Sequence, residues 1–247
     1  MTGTVDSQQA ALFSEMAADW WDPKGSSALL HKVNPVRLAY IRRAVESHFD
    51  RDVKRGDWLD GLTCLDVGCG GGILTECLAR LGGNVTGIDA AEASVEVAKD
   101  HAGDRGLAID YRLAAADILV REGKTFDLIT CMEVVEHVAD VPAFLGDLRA
   151  LLAPGGLLVF STPNRTAMSY GVMIVGAEWL LGLLPRGTHD WDQFLTPEEL
   201  TRALEMAGLA VKDVEGIGFD PMRGFALSND MRVNYIGHAH LPEGDEA

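Results

Sequence analysis

The sequence predicts an α/β fold in which a mostly parallel central sheet is covered by helices on both faces. Short apolar runs of strand length alternate with helical stretches between residues 62 and 162, and this alternation is typical of parallel sheets. A glycine-rich turn joins the first apolar run to the first of these helices. Hydrophobic residues make up 47% of the 247 residues, which is enough for a substantial core.

Composition also limits the class of partner and the compartment. The chain has 37 acidic and 21 basic side chains and a formal net charge of −16, which argues against nucleic acid as the substrate. No basic segment followed by an apolar run opens the sequence, so we predict no signal peptide and a cytoplasmic protein. The four cysteines form no C-x-x-C pair, which indicates free thiols rather than zinc ligands.

The predicted elements belong to one domain, residues 1–247. Apolar residues at helical spacing predict a helix at residues 6–21, and a second helix is expected from Pro35 to about Phe49. Charged and glycine-containing residues at 50–61 predict a linker. Residues 1–61 are therefore expected to form an N-terminal helical cap.

Residues 62–162 are expected to form the cofactor-binding core. The predicted strands are Leu62–Val67, Val85–Ile88, a weaker run at Ala108–Leu113, Phe126–Cys131 and Leu157–Ser161. The predicted helices between them are Leu74–Leu81, Ala93–Ala102 and Val141–Leu152.

The alternation breaks at residues 163–194, which we interpret as an insertion or lid. Residues 195–247 are expected to complete the sheet. In this region Thr196 is a plausible N-cap for a helix over Pro197–Ala207. Two final strands, Val211–Val214 and Met231–Ile236, are expected to pair antiparallel at the sheet edge.

The glycine-rich turn predicts the cofactor. Gly68, Gly70 and Gly72 follow a strand and precede a helix, which is where parallel sheets bind cofactors. A dinucleotide fingerprint would need a third glycine or alanine where this chain has Ile73. The spacing of Asp66 and the three glycines instead favours S-adenosylmethionine, which has no pyrophosphate.

Three residues at later strand ends are candidates for contacts with this cofactor. Asp89 ends the second strand, where its carboxylate can accept both hydroxyls of a ribose. Asp117 can bind the adenine amino group or cap a turn, and these alternatives stay open. Met132 can pack its thioether on the adenine ring or belong to the core.

Several longer motifs together resemble one family, the ubiquinone-biosynthesis O-methyltransferases, from about Trp20 to about Ile236. The narrowest are the N-P-x-R-x-x-Y-I stretch and the G-T-H-D stretch. The motifs are Trp20-Trp21-Asp22, His31 to Ile41, Leu65 to Gly72, Thr130 to His137, Ser161 to Arg165, Gly187 to Asp190 and Val233-Asn234-Tyr235.

This resemblance implies a class I methyltransferase with a Rossmann-like fold, N-terminal helices and an apolar helical insertion after the fifth strand. It implies transfer of a methyl group from S-adenosylmethionine to a ring hydroxyl of a polyprenylated catechol or demethylubiquinol, at both O-methylation steps. The implied cofactor residues are Arg37, Gly68, Asp89 and Met132. The implied ligands of a divalent metal, usually magnesium, are Glu133, Glu136 and His137.

Alternatives remain for these residues and for the activity. Arg37 can bind the cofactor carboxylate or be an exposed helix arginine. On a helix, Glu133, Glu136 and His137 would share one face and could hold a metal, or they could simply begin that helix. His189 is a rival general base. The rival functions are methylation of another small molecule or of a quinone ring carbon, and a non-catalytic adenosyl-binding scaffold.

The segment Thr166–Pro185 is dominated by apolar residues, and Glu178 is its only charge. We predict that it lies on the inner membrane face and covers the quinol pocket, making the enzyme a peripheral membrane protein. Arg165 and Arg186 would contact anionic headgroups. The alternative is an ordinary buried helix. The resemblance also leaves open a complex with other enzymes of ubiquinone biosynthesis.

Overall fold

A computed structural model describes residues 19–22, 24–25, 27–54, 56–172, 191–220, 222 and 224–242. Most of the predicted helix at residues 6–21 lies outside the described residues. The same is true of His189 and of residues 173–185 of the apolar segment.

Seven helices and two 3-10 turns are present in the described ranges. The helices are α1 (Ala28–Phe49), α2 (Ile73–Arg80), α3 (Glu92–Asp104), α4 (Ala116–Arg121), α5 (Val141–Leu151), α6 (Ala167–Ser169) and α7 (Pro197–Met206), and the 3-10 turns are Val135–His137 and Trp191–Gln193. Thr196 caps α7 as predicted, because its side chain accepts a hydrogen bond from the Glu199 amide.

Helix α1 begins seven residues earlier than predicted and contains Pro35 in its interior. Proline is common in the first helical turn, which is why the sequence placed the start there. Inside a helix its missing N–H removes one backbone hydrogen bond. The buried side chains of Tyr40 and Ile41 anchor the same helix on the sheet and offset that loss.

The strands form one eight-stranded sheet in the order β3-β2-β1-β4-β5-β8-β6-β7. They are β1 (Thr63–Val67), β2 (Asn84–Asp89), β3 (Asp110–Leu113), β4 (Phe126–Met132), β5 (Leu152–Pro163), β6 (Ala210–Asp220), β7 (Gly224–Ser228) and β8 (Asn234–His240). Strands β1 to β5 are parallel, whereas β8 runs antiparallel to both β5 and β6. The mostly parallel sheet and the antiparallel pairing of the two final predicted strands, β6 and β8, are confirmed. Their expected place at the sheet edge is wrong, because β8 lies between β5 and β6, and β7, which was not predicted, forms the edge. Strand β8 also lies further along the chain than predicted.

Both faces of the sheet are covered by apolar packing. Leu128 and Ile129 are neighbours on β4, yet they belong to two different core clusters, and both are fully buried. Side chains alternate between faces along a strand, so each cluster fills one side of the sheet. Helix α1 contributes to one cluster and α5 to the other.

The carboxyl ends of the parallel strands meet at one edge, which places the predicted site residues together. Val67, Asp89, Met132 and Pro163 end β1, β2, β4 and β5. Because β8 is antiparallel, its first residue, Asn234, pairs with Pro163 and reaches the same edge.

Candidate functional site

The glycine loop has the backbone that its sequence predicts. Gly68, Gly70 and Gly72 have φ angles of +70°, +50° and +89°, a region that favours glycine. A Cβ atom on Gly68 would stand 2.3 Å from the Val134 Cγ2 atom. The loop therefore lies directly against the segment that follows β4, and a side chain at Gly68 would separate them.

Asp66 anchors this loop from inside the protein. It is buried, and its two carboxylate oxygens accept hydrogen bonds from the Thr75 hydroxyl at 2.6 Å and the Thr130 hydroxyl at 2.7 Å. Burial raises the pKa of Asp66 to about 6, although these hydrogen bonds act in the opposite direction. Asp66 therefore joins β1, α2 and β4 beneath the loop.

Asp89 lies at the end of β2 and holds two turns together. One carboxylate oxygen accepts a hydrogen bond from the Gly70 amide at 2.8 Å, and the other accepts one from the Ala91 amide at 2.8 Å. Burial raises the pKa of Asp89, while the amide bonds favour its ionised form. The Ala90 amide also interacts with this carboxylate. A carboxylate has about four acceptor positions, so binding of a ribose hydroxyl is compatible with this second role.

Arg37 is buried in α1, with 7% of its surface exposed, so the alternative of an exposed helix arginine is wrong. Its Nη2 atom lies 3.0 Å from Glu133 Oε1. Its Nε atom is buried and has no hydrogen-bond partner among the described residues. The guanidinium therefore retains a donor for another acceptor at the sheet edge.

Glu133 follows β4 and is held by several donors. The Ser161 hydroxyl donates to Oε1 at 2.6 Å, and the Asn234 amide donates to Oε2 at 2.8 Å. The residue has a φ of +58°, which is uncommon for a side chain other than glycine. Both carboxylate oxygens of Glu133 are thus occupied, one of them by Arg37 as well as by a hydroxyl.

Glu136 and His137 lie in the 3-10 turn after Glu133. Glu136 is buried; one oxygen accepts from the Thr162 hydroxyl at 2.9 Å, and the other has no hydrogen-bond partner within the described ranges. The His137 Nε2 atom is 4.0 Å from that second oxygen. Burial, reinforced by the Glu133 charge, raises the pKa of Glu136 well above its ordinary value.

The three predicted metal ligands do not share an α-helical face, so that part of the geometric prediction is wrong. The chain leaves β4 through the left-handed backbone of Glu133 and then makes a 3-10 turn over Val135–His137. Among the residues that the structure describes, no group of three or more ligating side chains is arranged to hold a metal ion. The unpartnered oxygen of Glu136 is nevertheless an acceptor that a cation would satisfy.

The remaining candidates for cofactor contacts, Met132 and Asp117, make no contact that assigns them to the cofactor. Met132 is buried at the end of β4 and packs in the core cluster that includes Tyr40. Asp117 lies in α4, where one oxygen pairs with Arg121 at 3.0 Å and the other is buried with no partner among the described residues. The core packing of Met132 is therefore observed, whereas the adenine contacts of Met132 and Asp117 stay predictions.

Sequence reasoning gave no role to Ser161, Thr162 and Asn234, which hold the two glutamates. All three lie within motifs that resemble the family, in the S-T-P-N and V-N-Y stretches. Their polar types at strand ends are a signal, but only the pairing of β5 with β8 shows that they meet.

Comparison with known proteins agrees with this architecture. A family described as a methyltransferase domain matches residues 14–214. A methyltransferase from Clostridium acetobutylicum that depends on S-adenosylmethionine has a similar fold, with a TM-score of 0.61 and 15% identity over 82% of this chain and 89% of that chain. A magnesium protoporphyrin IX methyltransferase from Synechocystis with bound S-adenosylhomocysteine has a TM-score of 0.55 and 21% identity over 84% and 85% of the chains.

Closer relatives carry a more specific name. The ubiquinone biosynthesis O-methyltransferase of Methylobacterium nodulans is 49% identical over 240 residues, which cover 97% of this chain and 96% of the relative. The protein of the same name from Dinoroseobacter shibae is 51% identical over 237 residues, which cover 95% and 96%. With the glycine loop, its acidic partners and the sheet order in place, this chain belongs to the S-adenosylmethionine-dependent ubiquinone biosynthesis O-methyltransferases.

Proposed function

We propose that this enzyme transfers a methyl group from S-adenosylmethionine to a ring hydroxyl of a polyprenylated catechol or demethylubiquinol, at both O-methylation steps of ubiquinone biosynthesis. The observation that carries the proposal is the contact between the glycine loop and the segment after β4. Gly68 lies against Val134, the residue between Glu133 and the 3-10 turn of Glu136 and His137, so the segment that carries these residues packs on the loop that is expected to bind the cofactor.

The chain's own residues account for cofactor binding in this proposal. Arg37 would bind the methionine carboxylate with the donors that Glu133 leaves available, and Asp89 would accept the ribose hydroxyls. The backbone of Gly68 permits a close approach, and Met132, at the end of β4, would line the adenine side. Bound S-adenosylmethionine supplies an electrophilic methyl group, which requires the attacking oxygen to be held in line with it.

Removal of the phenolic proton needs help, because a phenol titrates near roughly pH 10. We propose that Glu136 and His137, together with Glu133, would hold a divalent ion, with magnesium expected from the family. Such an ion lowers the pKa of a bound hydroxyl and can contact two neighbouring oxygens. Support comes from the buried oxygen of Glu136, which accepts no hydrogen bond from the described residues and lies 4.0 Å from His137 Nε2. In this arrangement one carboxylate oxygen of Glu133 would contact both Arg37 and the ion.

A short-chain prenyl catechol tests the reaction with purified enzyme. We expect one S-adenosylhomocysteine per O-methylated product, and cells lacking the enzyme should accumulate demethylated quinol, both measured by mass spectrometry. Methylation of a ring carbon, or cofactor binding without turnover on either precursor, would reject the proposal. Chelation followed by added magnesium tests the metal separately, because full activity in metal-free buffer would leave His137 or His189 as the base.

We also propose that the segment Thr166–Pro185 docks on the inner membrane face beside the substrate pocket. Its described beginning exposes Met168, Tyr170 and Val172 by 44%, 46% and 49%. Within the described part of the chain, no helix has the length and apolar character needed to cross a bilayer. Arg165 is already paired with Glu199, so its expected headgroup contact would require that pair to open.

Co-sedimentation with anionic liposomes tests this surface. A variant with Met168→Ser, Tyr170→Ser and Val172→Ser should bind less than the wild type while keeping its affinity for S-adenosylhomocysteine. Met206→Ser is a matched control, because Met206 is 83% exposed on α7. If the wild-type enzyme does not co-sediment with anionic liposomes, the docking proposal is wrong.

A further inference from the structure

Two adjacent tryptophans cover the glycine loop from the N-terminal side. A Cβ atom on Gly70 would stand 2.6 Å from Trp20 Cη2, and one on Gly71 would stand 2.5 Å from Trp20 Cγ. The indole of Trp20 therefore lies flush against the loop backbone. Its other described apolar neighbours include Ile73, the first residue of α2.

The Trp20 indole carries a donor that the described residues leave unused. Only 6% of the residue is exposed, and its Nε1 atom is buried without a hydrogen-bond partner among them. A buried, unpaired indole N–H is costly, since such groups are nearly always bonded in folded proteins. The donor is placed beside the one loop of the fold that is expected to meet a ligand rich in oxygen and nitrogen acceptors.

Trp21 is anchored more completely than its neighbour. Its Nε1 donates to the Gly71 carbonyl oxygen at 2.9 Å, and its ring stacks on His101 with the ring centroids 3.5 Å apart. His101 Nδ1 lies 2.5 Å from an oxygen of Glu76, which is buried and also accepts from Arg80. This chain of contacts ties the tryptophan pair to α2 and α3.

We propose that Trp20 is a wall of the S-adenosylmethionine site and donates its Nε1–H to an acceptor of the bound cofactor, and that Trp21 is the positioning residue that holds Trp20 on the loop. The cofactor would complete the hydrogen bonding of the indole, while the ring would exclude water from the loop. The proposal concerns cofactor binding alone and is independent of the acceptor that the enzyme methylates.

Trp20→Phe removes the N–H and keeps an aromatic ring. We expect its affinity for S-adenosylhomocysteine to fall by about tenfold, the upper end of the range for one hydrogen bond between neutral groups. Isothermal titration calorimetry measures this change. Trp58→Phe is the matched control, because Trp58 is also 6% exposed but packs in a core cluster that contains neither Trp20 nor Trp21.

A truncated ligand locates the acceptor. If 5′-methylthioadenosine binds equally to wild type and Trp20→Phe while S-adenosylhomocysteine binds more weakly to the variant, the N–H meets the methionine portion. A loss for both ligands assigns it to the adenosine portion. If a folded Trp20→Phe enzyme binds both ligands as the wild type does, the proposal is overturned.

Fluorescence quenching distinguishes a positioning role of Trp21 from a general loss of structure in the variant. Acrylamide quenching of Trp20 is obtained as the difference between proteins with and without Trp20, in backgrounds with Trp21 intact or replaced by alanine. We expect Trp21→Ala to expose Trp20 to the quencher and weaken S-adenosylhomocysteine binding, and Trp21→Phe to restore part of both through stacking on His101. Unchanged quenching and affinity in Trp21→Ala would overturn the positioning role.

Discussion

Two parts of the sheet build the site in different ways. The cofactor half carries the glycine loop and Asp89 at the ends of β1 and β2, and the acceptor half carries Glu133 and its partners at the ends of β4, β5 and β8. In the cofactor half, the bonds of the loop are mostly short in sequence: Asp89 binds the Gly70 amide 19 residues away, and one Asp66 oxygen binds the Thr75 hydroxyl 9 residues away. The other Asp66 oxygen reaches Thr130, 64 residues away. In the other half, the bonds of Glu133 reach Ser161 and Asn234, which are 28 and 101 residues away. The turn itself in the first half is set by local bonds, with one long-range anchor in Thr130, whereas the carboxylate of Glu133 in the second half is held by bonds between strands that meet only in the folded protein.

The halves also differ in the groups that bind their buried carboxylates. Backbone amides bind the carboxylate of Asp89, whereas the Arg37 guanidinium binds that of Glu133 inside the protein. A buried ion pair is costly to form and is damaging when one partner is removed. We therefore expect substitutions beside β4 to have larger effects than substitutions in the glycine loop.

The largest effect is expected for Glu133→Ala. This change leaves Arg37 buried without its carboxylate and should lower turnover by at least about a hundredfold, the scale for losing a positioned polar group. It should also lower the free energy of unfolding by about 3 kcal/mol. Steady-state kinetics and urea unfolding measure both effects.

Ser161→Ala is the control, since it removes one hydroxyl donor from Glu133 and leaves the ion pair in place. It should retain most of the turnover. Near-wild-type turnover in Glu133→Ala would show that the acceptor half does not depend on this ion pair.

A smaller effect is expected in the cofactor half. Asp89→Ala should weaken S-adenosylhomocysteine binding by at least about 1.5 kcal/mol, because it removes an ionised acceptor of the ribose. The loss of the bonds to the Gly70 and Ala91 amides adds to this by loosening the loop. Calorimetric titration measures the change, and an unchanged affinity in the folded variant would refute the assignment.

The last expected effect concerns stability alone and not function. It is a pH dependence from Asp66, whose folded pKa of about 6 is raised above its ordinary value. A raised folded pKa means that the native state binds the proton more tightly. The contribution of Asp66 to stability is therefore fully present below about pH 4 and is lost as the pH rises through about 6.

Urea unfolding of wild type and Asp66→Asn between these pH values isolates this contribution. The stability difference, wild type minus variant, should decrease as the pH rises. A difference that is flat or increases with pH would contradict the assigned direction.

The same contrast explains which features could be predicted from sequence. The glycine loop and Asp89 could be predicted from the sequence because their pattern is local. The helical face expected for Glu133, Glu136 and His137 was wrong, because a left-handed residue and a 3-10 turn at the strand end cannot be distinguished by spacing from the start of an α-helix. The role of Asn234 needed the antiparallel pairing of β8, which no local pattern specifies.

The position of β8 has a consequence for the newly synthesised chain. Strands β1 to β5 and the glycine loop precede residue 164 and are synthesised before β8, which begins at Asn234. Strands β6 and β7 join the sheet only through β8, which lies between β5 and β6. Folding proceeds during synthesis from the N-terminus. A nascent chain can therefore complete its glycine loop before Asn234 has been made and can donate its hydrogen bond to Glu133. The capacity to bind the methyl donor would then arise before the capacity to use it.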